Sequence, residues 1–449
     1  MGRIIKIVKP WRCTKTRVLG ILLVCLLHPS WAASAPQHTT MESALQEALA
    51  WHPSIATAKA KLTEQQHRQR VARSGYYPQV SGGVQSGYEG RRDEQKYSQA
   101  LTLSVSQMLY DFGKVRHEVN AEQALVLKHQ AELYLAIEDT IRSTASAVFE
   151  VWRYQALEAM AYEQHQALAT LTELVAERNR KGAASRSDLA QSQTRVESAY
   201  TQVLHYQNQK LLWQNRLASL LGKRQPQTVI AEPMAISASQ CQFTPDSVEA
   251  APALQIAFAL RDSAEAIAKQ ADARQRPTIS LDQNLTHYIE TPKWANQADP
   301  DRTQYGIFLN VNMPLYQGGA LSAERKLAQA TRMAAEAEIL AERQHILETL
   351  LTSASQRQVL ERHLSVLEQR EALSRETRRL YQQQYLELGA RPLIDLLNAE
   401  QEIFQTRFEQ INVSNDMQLM SLACAHVLGQ LKPLFALDNI NIQGVNLTP

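Results

Sequence analysis

The chain has 449 residues, 47 of them Lys or Arg against 45 Asp or Glu, for a formal charge of +2, and it carries four cysteines. That balance lacks the polybasic signature of a nucleic-acid-binding protein, and the cysteines are too few for a disulfide framework. Length alone suggests two or three domains, but the placement of Gly and Pro points instead to one plan used twice.

Residues 1–32 read as a secretory signal. Arg3, Lys6, Lys9, Arg12, Lys15 and Arg17 form a basic region without an acid, Val18 to Leu27 an apolar run, and Ser30-Trp31-Ala32-Ala33-Ser34-Ala35 a small-residue stretch. Cleavage is expected after Ala32, because Pro36 sits directly past Ala35. The apolar run is shorter than the roughly 20 residues of a spanning helix, and no later stretch qualifies as one. Val24, ahead of Cys25, departs from the small residue of a lipoprotein signal. Removing the signal takes Cys13 and Cys25 with it and leaves Cys241 and Cys424, whose pairing the sequence leaves open.

The first repeat, residues 33–224, begins with a helix between Pro53 and Gly75. Two segments with period-two alternation follow, at 78–88 and 97–109. In the first, Val80, Val84 and Tyr88 oppose Ser81, Gly83 and Gln85; in the second, Leu101, Leu103, Val105 and Leu109 oppose Ser98, Thr102, Ser104 and Ser106. No Gly or Pro then occurs from Gly113 to Gly182, nor from Gly182 to Gly222, and strong helix formers fill both intervals. At 1.5 Å per residue the longer interval extends about 100 Å, which points to coiled-coil packing. A turn near 182–188 joins the two helices.

A linker at 225–251 reads as an equatorial segment beside the helices. The second repeat, 252–431, holds a helix from Pro252 to Pro277, strands at 278–289 and 305–315, and a second long hairpin with its tip near 389–395; residues 432–449 form a second equatorial segment. Pro53 and Pro78 recur as Pro252 and Pro277. Leu109-Tyr110-Asp111-Phe112-Gly113 recurs as Leu315-Tyr316-Gln317-Gly318-Gly319, and Gly182, Asp188-Leu189 and Leu221-Gly222 recur as Gly389, Asp395-Leu396 and Leu428-Gly429. The offset grows between Pro277 and Leu315, so the second copy has the longer strand-joining loop. This is a duplication.

Four two-faced strands of 11–13 residues suit a bilayer, where a tilted spanning strand needs about 9–11. Aromatic residues mark their ends, with Tyr76, Tyr77, Tyr110 and Tyr316 at one level and Tyr88, Tyr97, Tyr288 and Tyr305 at the other, as in a membrane girdle. The joining loops, 89–96 and 290–304, are polar. Gln99, Gln107, Gln283 and His287 interrupt the lipid face. Four strands do not close, and an open edge in hydrocarbon leaves backbone groups unpaired at several kcal/mol each. At least about eight are needed, so copies of the chain must share the barrel.

In this order and spacing the chain resembles the TolC-like outer-membrane efflux and secretion channels over nearly all of the mature chain. The resemblance rests on the duplication, on the two Leu-Tyr motifs leaving the second and fourth strands, and on tip segments Lys181 to Leu189 and Leu388 to Leu397. It implies a membrane α+β fold: a homotrimeric, 12-stranded transmembrane β-barrel with four strands per chain, continuous with a long α-helical coiled-coil periplasmic barrel. It also implies a periplasmic adaptor (membrane fusion) protein docking at the tip residues Gly182, Ala183, Ser185, Gly389, Ala390, Pro392 and Leu393, and an inner-membrane ABC or proton-driven transporter. Asp395 matches a carboxylate that rings the tunnel end, and Asn398 stands where a second acid is found, so the ring carries less charge. Asp188 and Arg391 match gate-holding ion-pair positions. Taken alone, Asp188 also reads as a helix cap and Asp395 as a first-turn acid favoured by the helix dipole.

No catalytic constellation is visible, so no enzyme, cofactor or metal site is expected. His117 and His129, the closest histidines past the signal, are too far apart in sequence for an i,i+4 zinc pair, and there is no phosphate loop, Gly-x-Ser-x-Gly or Cys-x-x-Cys. Trp152 and Trp213 read as helix-packing residues. Ser106 to Lys114 looks closer to channels serving large adhesin or toxin export, a resemblance that favours type I protein secretion over multidrug efflux. The rival of another class is a periplasmic coiled-coil adaptor without a barrel.

Overall fold

The computed structural model describes residues 38–91, 94–290, 302–437, 440 and 442–444. The signal and cleavage site read at the N-terminus, residues 291–301 of the longer loop, and the last five positions lie outside the described residues. The first half contains β1 (His38–Thr39), α1 (Met41–Trp51), α2 (Pro53–Arg73), β2 (Gln79–Arg91), β3 (Glu94–Tyr110), α3 (Lys114–Arg180) and α4 (Arg186–Leu220). A middle section holds β4 (Thr228–Val229) and α5 (Pro245–Glu249), and the second half α6 (Pro252–Arg274), β5 (Thr278–Glu290), β6 (Thr303–Asn312), α7 (Ala320–Gln383) and α8 (Leu393–Val427), followed by α9 (Leu431–Leu434). No helix among the described residues is long and apolar enough to cross a membrane.

The duplication extends to backbone dihedrals. Phe112 and Gly113 leave β3 with φ of 58° and 92°, and Gly318 and Gly319 leave β6 with 60° and 86°. Left-handed backbone is costly for a residue with a Cβ, so the second copy uses glycine where the first tolerates Phe112. Asp111 secures the first joint: its carboxylate accepts from the backbone N–H of Gly113 (2.8 Å) and Val115 (2.6 Å). Lys114 then ties that joint to the start of β5, donating to the Arg276 carbonyl (2.8 Å) and the Thr278 hydroxyl (2.6 Å).

The 67-residue α3 and the 64-residue α7 are the long staves. Each pairs with the helix that follows it, and α3 meets α8, so α4 and α7 form the two flanks of the layer. Near the sheet, α2 packs on α3, and α6 packs on both α3 and α7. Between α7 and α8, Arg370 meets Glu402 at 2.5 Å and Arg378 meets Glu400 at 2.7 Å.

The described parts of the two segments read as equatorial are held by tertiary contacts. Thr39 pairs with Val229 in a two-stranded parallel ladder. The main core gathers α1 residues Leu45 and Leu49, α3 residues Ile137, Ile141 and Val148, and Leu217 and Leu431 from beyond them; Trp152 and Trp213 pack against it. Glu138, fully buried, accepts the backbone N–H of Leu431 (2.9 Å) and Lys432 (3.0 Å). Cys241 and Cys424 form a disulfide, their Cα atoms 5.1 Å apart, within a second core that includes Leu254, Ile346 and Leu350.

One four-stranded antiparallel sheet has the order β2-β3-β5-β6. Two strand limits differ from the sequence reading. The loop read at 89–96 is mostly strand, since Glu89 pairs with Lys96 and Arg91 with Glu94; ladder bonding belongs to the backbone and does not need apolar side chains. β6 ends at Asn312, short of Met313 and Leu315, where Pro314 brings no N–H to the ladder.

Candidate channel face and helical tip

The sheet register puts Val80, Val84, Leu101, Leu103, Leu285, Ile307, Leu309 and Val311 on one face, and most of that face is exposed in the single chain. So large a contiguous exposed apolar surface marks contact with lipid or protein. Tyr88 and Tyr97 are register partners with ring centroids 5.5 Å apart. Tyr305 pairs with Leu285, so it is not on their row. Three of the polar interruptions have partners. The Gln99 amide donates to the Tyr97 hydroxyl (2.5 Å), the Gln107 amide to the Tyr76 carbonyl (3.0 Å), and His287 shares a hydrogen bond with Thr303 (2.8 Å).

The opposite face carries Ser81, Gly83, Gln85, Thr102, Ser104, Ser106, Ser280, Asp282, Asn284, Thr286, Gly306 and Asn310, with Phe308 its apolar exception. Asp282 is the hub of this face. It accepts from the Ser106 hydroxyl (2.5 Å) on β3, the Ser280 hydroxyl (3.1 Å) on its own strand, and the Asn310 amide on β6. Sequence periodicity found its face but not this network, which depends on cross-strand register.

At the far end of the helices the two hairpin tips meet. The first turns at Gly182 (φ 73°), and Ser185 opens α4 with a reciprocal cap: its hydroxyl accepts the Asp188 N–H (3.0 Å) and the Asp188 carboxylate accepts the Ser185 N–H (3.1 Å). Asp188 therefore occupies the capping role within the chain. The second tip passes through one wide turn at Gln384–Leu388, then Gly389 (φ 60°), with Pro392 ahead of α8. Arg391 meets Asp395 at 3.1 Å, donates to Gln384 (3.2 Å) and lies 4.3 Å from the Tyr381 ring centroid.

Arg178 lies over the Tyr385 ring at 4.8 Å, and burial pushes the Tyr385 hydroxyl above its usual range, with the Arg178 charge opposing. Leu168, Val175, Tyr385, Leu393, Leu396 and Leu397 form the apolar core beneath both tips. Leu393 is 2% exposed, so its place is in that core rather than on the tip surface. Gly182, Ala183, Ser185, Gly389, Ala390 and Pro392 are exposed. Asn398 is exposed too, and its side-chain oxygen accepts from Arg195 (3.4 Å), which also donates to Gln401 (2.6 Å) and so links α4 to α8. The sequence reading missed Arg195, Tyr381 and Tyr385. Their helical spacing near the tips was visible, but their partners lie on other helices. Among the described residues no group of His, Cys, Asp or Glu is arranged to hold a metal ion.

A family model described as outer membrane efflux protein matches residues 44–223 and 245–430. The outer membrane efflux protein BepC of Brucella suis is 19% identical over 416 residues, covering 91% of this chain and 89% of its own length. Among solved structures, one of CusC, which concerns transmembrane channel formation, superposes with a TM-score of 0.79 at 18% identity, over 88% of this chain and 92% of that one. VceC from Vibrio cholerae gives 0.77 at 20% identity, over 87% and 96%.

Proposed function

Because the chain belongs to the outer membrane efflux protein family, we propose that it is the outer-membrane exit duct of a tripartite export system, closed as a homotrimer. The observation that carries this reading is a sheet with one apolar face, one polar face and two open edges, β2 and β6. Strand directions alternate across β2-β3-β5-β6, so β6 of one copy meets β2 of the next antiparallel, and any whole number of copies extends one antiparallel ring. Three copies give the twelve strands that the family resemblance implies. The helical layer repeats the pattern, with exposed Tyr200, Leu204 and Leu211 on the α4 flank and Val359, Val366, Leu373 and Leu380 on the α7 flank. The α7 residues recur every seven positions, the spacing of a coiled-coil seam.

In this reading the signal directs export, and residues 33–224 and 252–431 are equivalent structural repeats joined by equatorial segments at 225–251 and 432–449. The exposed tip residues dock a periplasmic adaptor, and an inner-membrane ABC or proton-driven transporter supplies the energy. Arg391, held by Asp395, Gln384 and Tyr381, fastens the second tip closed; Asp395 lines the tunnel end beside Asn398, and Asp188 keeps the first tip in shape. Replacing Arg391 with Ala is expected to raise single-channel conductance several-fold in planar bilayers. Unchanged conductance removes Arg391 from the gate.

The favoured cargo is polypeptide in a type I secretion system, on the run from Ser106 to Lys114. The names of relatives such as BepC favour the second reading, efflux of small molecules. Gene deletion separates them. Loss of a secreted adhesin or toxin supports the first, whereas an unchanged set of secreted proteins beside lost drug resistance selects the second.

A further inference from the structure

Asp282 is the only Asp, Glu, Lys or Arg within 79–88, 97–110, 278–289 and 303–312. It lies on the polar face, four residues up β5 from Thr278, about 13 Å from the junction with the helices at 3.3 Å per residue. Hydroxyl and amide donors from three adjacent strands, Ser106, Ser280 and Asn310, fix its carboxylate across the sheet. A carboxylate accepting several hydrogen bonds is held in one orientation. Its register partners are Ser106 and Phe308, so no basic group faces it across either ladder.

We infer that Asp282 is a selectivity-determining residue within the barrel, separate from the helical tip. The inference rests on the reading that copies of the chain close with this polar face around water. Each copy then adds one fixed carboxylate at one level of the lumen. A low-dielectric wall focuses the field of such a ring and raises the local concentration of ions of opposite sign. Permeant cations, including ammonium and guanidinium groups on larger solutes, are favoured there, and anions are depleted. The effect depends on screening, with a reach of about 10 Å at 0.1 M salt and about 3 Å at 1 M.

The test is the reversal potential of the full-length protein in planar bilayers under a KCl gradient, in wild type and Asp282→Asn, each with and without Asp395→Asn at the tip. Asn is nearly isosteric and still accepts hydrogen bonds. The expected result is a fall in the K⁺/Cl⁻ permeability ratio of about twofold or more near 0.1 M salt in both backgrounds, fading near 1 M. Asn284→Asp, adding a second carboxylate to the same face, is expected to move the ratio the other way. If both variants form channels with wild-type selectivity at low salt, the inference is wrong while the channel reading stands. Should the wild type form no channels, the proposed function fails and takes this inference with it.

Discussion

Glu138 has no exposed surface, yet it is ionisable and holds two backbone N–H groups of the C-terminal segment. Burial pushes its carboxyl up to about 7, against the opposing pull of those two N–H groups, the Lys432 charge and Tyr134. A carboxyl raised from its unfolded value near 4.5 binds a proton more tightly when folded. Its contribution to stability is therefore fully present below about pH 4.5 and is lost as pH rises to about 7, a change of about 3 kcal/mol. Glu138→Ala leaves two buried donors without acceptors and should cost about 2–5 kcal/mol. Thermal melts across that pH window check both points: the variant should melt lower and lose the component of the slope that opposes rising pH. Gly429 is a second sensitive position. It combines φ of 68° with a place where a Cβ lies 2.6 Å from the Pro252 ring, so Gly429→Ala should destabilise by about 2 kcal/mol or more, measurable in the same melts.

The strands make the sharpest element-scale prediction, because neighbouring residues on β3 lie on opposite faces of the sheet, one apolar and one polar. Leu103→Arg puts a charge on the apolar face, where the cost near a bilayer midplane is about 2–4 kcal/mol per chain, and it should abolish membrane-assembled protein. Ser104→Arg, on the polar face, should assemble normally; heat-modifiable gel mobility of membrane fractions reads both. The disulfide gives another prediction. It closes a loop of 183 residues' separation, for which chain entropy allows up to about 5 kcal/mol, so Cys241→Ser with Cys424→Ser should lower the melting temperature.

These elements also show what could be read in advance. Two-faced strands and helices free of Gly and Pro carry their structure in local pattern, so β2, β3, β5 and α3 were legible to within a few residues. Helix α1, β1 and β4 were not, because two-residue ladders and short helices are held by partners far along the chain. Arg391 was singled out by resemblance, but its contacts with Tyr381 and Gln384 depend on the wide turn at Gln384–Leu388, which no residue pattern announces. Asp188 was readable both as a cap and as a gate residue, and within one chain the cap is what forms.

At the scale of the whole molecule, both layers of the chain are unfinished in the same way. The sheet stops at two unpaired edges, β2 and β6, and the helical layer stops at two flanks whose apolar residues face outward. Under the proposed function neither can stand in a bilayer or in water without a partner, and another copy of the same chain would supply both at once. The measurement that bears most directly on this is the detergent-corrected mass of the purified, processed protein by light scattering. Three chain masses in a detergent-dependent particle is the predicted result. A particle of one chain mass that stays in solution without detergent contradicts the shared barrel.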